Sequence, residues 1–489
     1  MVYILCIDQG STSSKAFLLD RDGQLQSGST VPIKQYYPEP GFVEHDADEI
    51  LASVYRAILN VLAKYPESNG NIRAIGITNQ RETTIVWDRA TGDPVYHAIV
   101  WQCARAKEIT DEIWDAAFRK SVREKTGIPL SPYFPAAKAA WILRHNEHAA
   151  ELAKEGQLCI GTIDSWLVYK LTEGAVFQTD FSNASRTQLF NLHSLRWDEE
   201  ICEALGVPLT ALPQVESSDG DFGVTTLNGF FDSPVPIRAV LGDSHAALFG
   251  QGCVRPGMAK ATYGTGSSIM MNIGPDFKES QSGLVTSLAW GRGGRVDYVL
   301  EGNINYAGAV ITWLQKDLGL FESAKDTAAM AEAANPEDTA YLVPAFSGLG
   351  APYWKDDAKA VLVGMSRTTG KNEIVRAGLA SIAWQVTDIV EAMSADSGVR
   401  LSELRVDGGP TGNPWLMQFQ SDAARARICV QKAEELSAMG AAYLAGMGVG
   451  LYDESVLSAD RLKKAYEPQM DETIRNKKYD GWKQAVEKA

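Results

Sequence analysis

Residues 4–20 read ILCIDQGSTSSKAFLLD and residues 258–272 read MAKATYGTGSSIMMN. Each stretch is an apolar run, then a glycine with hydroxyl residues, then a second apolar run. The loops are Gly10-Ser11-Thr12-Ser13-Ser14 and Gly264-Thr265-Gly266-Ser267-Ser268. A local pattern that returns about half a chain later predicts two related lobes, each presenting a hairpin loop to a shared cleft. Short Gly/Ser loops also recur by chance, and each copy alone reads equally as a hairpin whose hydroxyls satisfy turn amides. The other reading is an anion cradle, in which amides and hydroxyls converge on a phosphate while Asp8 holds a cation. It is not a Walker A loop, because the G-x-x-x-x-G-K-[ST] spacing is absent.

A chain of 489 residues exceeds what one ordinary core supports, so two large domains are expected, 1–249 and 250–489. The net charge of −15 argues against nucleic acid or an anionic membrane as the main partner. Six cysteines (Cys6, Cys103, Cys159, Cys202, Cys253 and Cys429) are scattered without a C-x-x-C pair, which predicts buried thiols in a reducing compartment. His145 and His148 have metal-like proximity but read as an exposed helix face. With no basic leader and no run of about 18 apolar residues, the expectation is a cytoplasmic protein without membrane insertion.

Strand-like runs alternate with amphipathic helices throughout, the pattern of α/β architecture. Strands are expected at 4–7, 15–20, 25–32, 73–78, 83–88, 95–100, 237–241 and 403–407. Helices are expected after Asp46 and Asp48, near 104–117, 136–154, 164–171, 305–318 and 370–396. The strand at 237–241 runs into Gly242-Asp243 and then a helix. Asp243 thus reads as a helix N-cap or as a carboxylate projected into the cleft. The strand at 403–407 runs into DGGPTGN and another helix, a geometry that suits close approach by a nucleotide or a simple turn.

These stretches, in order and spacing, resemble the FGGY carbohydrate kinases, and within them the glycerol-phosphorylating members most closely. The resemblance covers nearly the whole chain. It is carried by DQGSTSSK, GITNQRETTIVWD, IVWQCAR, GTIDSWLVYKL, TDFSNASRTQLFN, GDSHAALFGQGC, YGTGSS, VPAFSGLGAPYW, and LRVDGG followed by LMQFQSD. It implies two actin-like, ribonuclease-H-like lobes with ATP, Mg2+ and a small polyol in the cleft, and a homodimer or higher homo-oligomer. By the same resemblance Asp243 is the general base, Asp8 holds Mg2+, and Ser11, Thr12, Ser13 and Lys15 meet the phosphates. Gly264 and Thr265 do the matching work from the second lobe, and Gly308, Thr312, Gly409 and Asn413 fall at nucleotide-contacting positions. Arg81, Glu82, Trp101 and Tyr133 grip the polyol together with Asp243. The implied reaction is transfer from ATP to a terminal hydroxyl, glycerol to glycerol 3-phosphate being favoured.

The chain departs from that pattern where the substrate sits. Ser244 stands where those members carry a glycerol-binding Gln, and Ser268 stands where they carry a pocket-closing Phe. Two small hydroxyl residues at one pocket suit a roomier, more polar site, so a four- to five-carbon polyol or ketose (erythritol, threitol, xylulose, ribulose) is the alternative to glycerol. Lys15 replaces an Arg, keeping charge but losing bidentate geometry, and Thr312 replaces a nucleotide-contacting Gln. The segment NGFFDSPVPI lacks the histidine that is phosphorylated in some members, and the loop that binds fructose bisphosphate in others is not recognisable. A non-kinase actin-like ATPase shares the fold, but Arg81, Glu82, Tyr133 and Asp243 have no evident task in a filament. A sugar sensor without activity would be expected to lose Asp8 or Asp243.

Overall fold

The computed structural model describes residues 2–113, 115–432, 435–458 and 462–489. β1 (Tyr3–Gln9), β2 (Ser13–Leu19) and β3 (Leu25–Pro32) form an antiparallel meander. Helix α1 (Ala47–Lys64) carries the chain to β4 (Ile72–Asn79), parallel to β1. After a long excursion β5 (Val235–Gly242) runs parallel to β4. Helix α2 (Asp243–Gly250) then leads into the second half. There β6 (Met258–Tyr263), β7 (Ser267–Gly274), β8 (Val285–Arg292) and β9 (Arg295–Ile304) are antiparallel neighbours. Helices α3 (Gly308–Lys316), α4 (Thr327–Ala333) and α5 (Lys371–Ser397) precede β10 (Glu403–Gly408), which lies parallel to β6. Helix α6 (Pro414–Ala424), β11 (Arg427–Gln431), α7 (Leu436–Gly448) and β12 (Leu462–Tyr466) follow.

The two principal sheets repeat one walk. The first is ordered β5-β4-β1-β2-β3, with Val224–Thr225 at the β5 edge; the second is β8-β9-β7-β6-β10-β11-β12. In both, a central strand has an antiparallel hairpin partner on one side and two successive parallel strands on the other. The recurring Gly/hydroxyl loops are the turns of the equivalent hairpins β1–β2 and β6–β7, so the motif repeat is a repeat of structure.

Burial follows from position. Tyr3 to Ile7 are all buried because β1 is central and covered on both faces. Helix α1 starts at Asp46, whose carboxylate accepts from the Asp48 and Glu49 amides. It buries Ile50, Val54, Ile58 and Val61 against one face of the first sheet, with Trp87 and Trp166 in the same core. The other face packs on α7 and α2, which join it to Met270, Trp290 and Val299 of the second sheet. Along β6, Ala259, Ala261 and Tyr263 enter the core beneath α5. Strand alternation therefore turns Lys260 and Thr262 towards the cleft.

Three expected elements differ. The strand at 95–100 contracts to Ala98–Ile99, since the preceding residues follow Pro94 and are partly exposed. The helix near 104–117 becomes Lys107–Glu112 and Ala116–Thr126, the second beginning where the Asp115 carboxylate accepts from Ala117 N; Trp114 lies outside the described residues. The helix at 136–154 is interrupted at Asn146, which accepts from Ala149 N and so caps Glu147–Lys154. In each case a local cap or a proline outweighed an apolar period that continued past it. His145 and His148 are both exposed, and all six cysteines are buried and free.

Candidate active site

Asp8 lies near the end of β1 and faces Lys15 across the β1–β2 ladder, while Asp243 follows the end of β5 and opens α2. Parallel strands β1 and β5 end on the same side of the sheet, so the two carboxylates enter one cavity of about 450 Å³. Lys15 and Ser244 line it from the first lobe, and Gly264, Thr265 and Ser268 from the second. Cross-strand register fixes the second wall: Thr262 is opposite both Ser268 and Asp407, and Ser268 is opposite Asn303, so these side chains share the cleft face.

The loops are built tightly. Gly10 N donates to Ser13 O at 2.9 Å, and Trp101 Nε1 donates to Ser11 Oγ at 2.9 Å. Thr12 is exposed and Ser13 partly so. In the second loop Gly264 N donates to Gly266 O, while Ala307 N and Gly308 N at the start of α3 donate to Thr265 O (2.8 Å) and Gly264 O (2.9 Å). Those α3 amides are thereby already paired. Gly408 has φ +98°, and a Cβ there would lie 2.1 Å from Tyr263 O, so only glycine allows β10 to turn beside β6. Gly409 opens the short turn that follows. Asn413 accepts from Leu416 N at 3.0 Å, capping α6, and donates to Thr327 Oγ1. Thr312 Oγ1 bonds back to Gly308 O on an exposed helix face.

Beside Asp243 lies a buried network of charge. Both terminal nitrogens of Arg81 donate to Glu301, at 3.0 and 2.8 Å, and its Nε lies 3.3 Å from Asp243 Oδ1. Glu82 Oε1 accepts from Arg186 Nε at 2.5 Å, and Arg186 Nη1 is 3.0 Å from Glu301. Glu82 has φ +61°, the left-handed region that non-glycine residues seldom adopt. Burial raises the Glu301 pKa, but Arg81 and Arg186 outweigh it and hold the carboxyl well below its usual range. For Asp243 burial prevails over the attraction of Arg81, and its pKa is raised. Tyr133 and Trp101 meet edge to face at 5.8 Å, forming an aromatic wall beside Ser11.

The sequence-predicted residues therefore fall into groups. Asp8, Lys15, Asp243, Ser244, Gly264, Thr265 and Ser268 share the cavity. Arg81 adjoins it through Asp243, Glu82 is the next residue along the chain, and Trp101 reaches both Tyr133 and Ser11. Gly308 touches Gly264, whereas Thr312, Gly409 and Asn413 lie farther along α3 and the approach to α6. Lys15, expected to supply charge to the phosphates, is paired with Glu435 at 2.7 Å. Glu435, Glu301, Arg186, Lys260 and Asp407 were not singled out from the sequence. Arg186 and Asp407 lie within motifs that carried the resemblance, but their partners stand 104 to 156 residues away.

Comparison with known proteins supplies the class. The chain matches the model of the FGGY family of carbohydrate kinases, N-terminal domain, over residues 3–250 and its C-terminal domain over residues 259–449. It is 48% identical to a glycerol kinase of Carboxydothermus hydrogenoformans, over 100% of this chain and 98% of the relative. The structure of Plasmodium falciparum glycerol kinase with ADP superposes with a TM-score of 0.95 at 36% identity, covering 100% of this chain and 98% of that one. A ligand-bound xylulose kinase from Lactobacillus acidophilus shares the fold, with a TM-score of 0.89 at 21% identity over 100% and 98% of the two chains. Two repeated α/β lobes with facing glycine loops, matched along nearly their whole length, make this chain a member of the FGGY family of carbohydrate kinases.

Proposed function

We propose that the chain transfers the γ-phosphoryl group of ATP to a terminal hydroxyl of a small polyol, converting glycerol to glycerol 3-phosphate, with Asp243 as general base. The observation that carries this reading is the common cavity that Asp243 shares with Asp8, Lys15 and the second glycine loop. Relatives with 46–48% identity over essentially the whole chain are glycerol kinases. In the reaction the substrate oxygen forms its bond to the γ-phosphorus as the bond to the bridging β–γ oxygen breaks. The electron pair leaves with ADP, and the hydroxyl proton passes to the Asp243 carboxylate.

Arg81 fixes that carboxylate. Its terminal nitrogens are committed to Glu301, which orients Nε towards Asp243. Glu82 and the Arg81 edge supply acceptor and donor for adjacent hydroxyls, each of which gives and takes a hydrogen bond. Trp101 and Tyr133 cover the carbon chain. Ser11, Thr12, Ser13, Lys15, Gly264 and Thr265 hold the phosphates, and Gly308, Thr312, Gly409 and Asn413 flank the nucleotide.

Mg2+ fits the residues present. Among the described residues no three His, Cys, Asp or Glu side chains cluster as a protein cage, and Mg2+ is ordinarily held by one or two carboxylates with phosphate and water. Burial pushes the Asp8 carboxyl up to about 7, with Lys15 opposing and Asp243 and Glu435 adding to the rise. A carboxylate so poorly compensated is one that a cation would relieve, and Asp8 would hold the ion. Bound there, Mg2+ would neutralise phosphate charge.

One observation favours a second substrate. Ser244 and Ser268 line the same cavity as Asp243, and Ser268 Oγ is buried without a hydrogen-bond partner among the described residues. A longer polyol or ketose would offer that hydroxyl a partner. The test is ADP release with Mg-ATP across glycerol, dihydroxyacetone, erythritol, threitol, xylulose and ribulose, compared by kcat/KM. Glycerol ahead by tenfold or more supports the first reading, and a four- or five-carbon substrate ahead supports the second. No turnover with any of the six would remove both.

A further inference from the structure

Lys260 is 2% exposed, yet it sits on the cleft face of β6 and lines the cavity that holds Asp8 and Asp243. Its Nζ has one polar contact, Thr262 Oγ1 at 3.4 Å, and forms no ion pair among the described residues. The two carboxylates that act on it most strongly, Asp407 and Glu301, are engaged by other groups. Asp407 accepts from Gln251 and Thr262, and Glu301 is taken by Arg81 and Arg186. Lys15, the other lysine of the cavity, is neutralised by Glu435. A buried ammonium without a counter-ion is costly to keep. One that lines a phosphate-binding cavity gains its counter-ion when the anion arrives.

We propose that Lys260 is a catalytic residue that donates from Nζ to the oxygens of the phosphoryl group during its transfer. The inference rests on the kinase reading above. In the transfer the polyol oxygen bonds to phosphorus, the bond to the bridging β–γ oxygen breaks with its pair going to ADP, and the proton goes to Asp243. Lys260 gains and loses no covalent bond. It remains an ammonium, and its charge balances the negative charge spread over the transferring oxygens. Register explains why it is placed for this. Lys260 lies on the same strand face as Thr262, three residues before the Tyr263–Ser267 turn, and Gly264 and Thr265 of that turn line the same cavity. Burial lowers its pKa while Asp407 and Glu301 raise it; a bound phosphoryl anion would act in their direction.

The experiment compares the full-length wild type with Lys260→Met and Lys260→Gln in steady-state kinetics and in binding of Mg-ADP with and without aluminium fluoride. Thermal melting and Mg-ADP affinity serve as checks of folding. The expected result is a 10²–10³-fold fall in kcat, the cost of removing one preorganised donor. Mg-ADP affinity should stay within threefold, and the tightening that aluminium fluoride confers on ADP in the wild type should be lost. Partial recovery of Lys260→Ala activity with added methylammonium would mark a charge acting at the site. The proposal is overturned if either folded variant keeps kcat and the aluminium fluoride effect within threefold of wild type. It is also overturned if both variants fail to melt cooperatively, which would assign Lys260 to the stability of the fold. Because the fluoride readout needs no polyol, a wrong substrate assignment appears separately, as a wild type that tightens on ADP but turns over none of the six acceptors.

Discussion

Asp243 shows how one position carries both a local and a distant meaning. Its place after an apolar strand and before a helix is legible in the sequence, as is the choice between cap and catalyst. Its setting is not, because Arg81 lies 162 positions earlier and Arg81 in turn is oriented by Glu301, 220 residues beyond it. Asp243→Asn retains the shape and removes the base, so kcat should fall by about 10²–10⁴-fold with little change in Mg-ADP affinity; steady-state kinetics beside an ADP titration checks both. The pH dependence has a definite sign. Burial raises the Asp243 carboxyl above its ordinary 3.8, and a base works ionised. Activity should therefore decline on acidification before an ordinary carboxylate would protonate. A kcat/KM profile flat down to pH 4 would contradict that assignment. Lys15 carries the opposite lesson: a lysine beside a phosphate loop reads as charge for the phosphates, whereas its partner Glu435 is 420 residues away.

At the scale of elements, the meander, the loops and the parallel crossovers were visible as apolar runs bounded by glycine and Asp. Helix α7 was not, because its long apolar face has no strong period; it is buried nearly all round. Its role is to bring backbone against backbone. A Cβ on Gly440 would lie 1.9 Å from Ala246 O of α2, and one on Gly76 of β4 would lie 2.4 Å from Ala441 O. Neither neighbour is the end of a flexible side chain, so helix and strand must separate to admit even a methyl group. Gly440→Ala should destabilise the protein by about 1–3 kcal/mol or more, as overpacking does, despite the better intrinsic helix propensity of alanine. Equilibrium unfolding in urea measures the loss. A gain in stability would mean that α7 can shift without cost. Such a contact is invisible to pattern reading, since a glycine in a helix looks only like a weak helix former.

For the molecule as a whole, the two lobes are tied at Glu301. The residue belongs to β9 of the second sheet, while Arg81 follows β4 of the first and Arg186 comes from the excursion between β4 and β5. Two arginines of the first lobe thus share one buried carboxylate of the second, next to Asp243, the proposed base. Replacing it by glutamine keeps the volume but leaves two buried guanidinium groups short of an anion. Breaking a buried pair in this way typically costs about 3–5 kcal/mol, so Glu301→Gln should melt well below the wild type and bind polyol more weakly as Arg81 loses its orientation. The pH dependence separates lost charge from lost packing. The arginines depress the Glu301 pKa in the folded protein against the effect of burial. A depressed carboxylate stabilises the fold above its unfolded pKa, ordinarily 4.5, and that contribution drains away as pH falls below it. The melting-temperature gap between wild type and Glu301→Gln should therefore be widest near neutrality and narrow steadily below pH 4.5. A gap that stays constant down to pH 3 would show that the substitution acts through shape, and that the charge of Glu301 does not join the lobes.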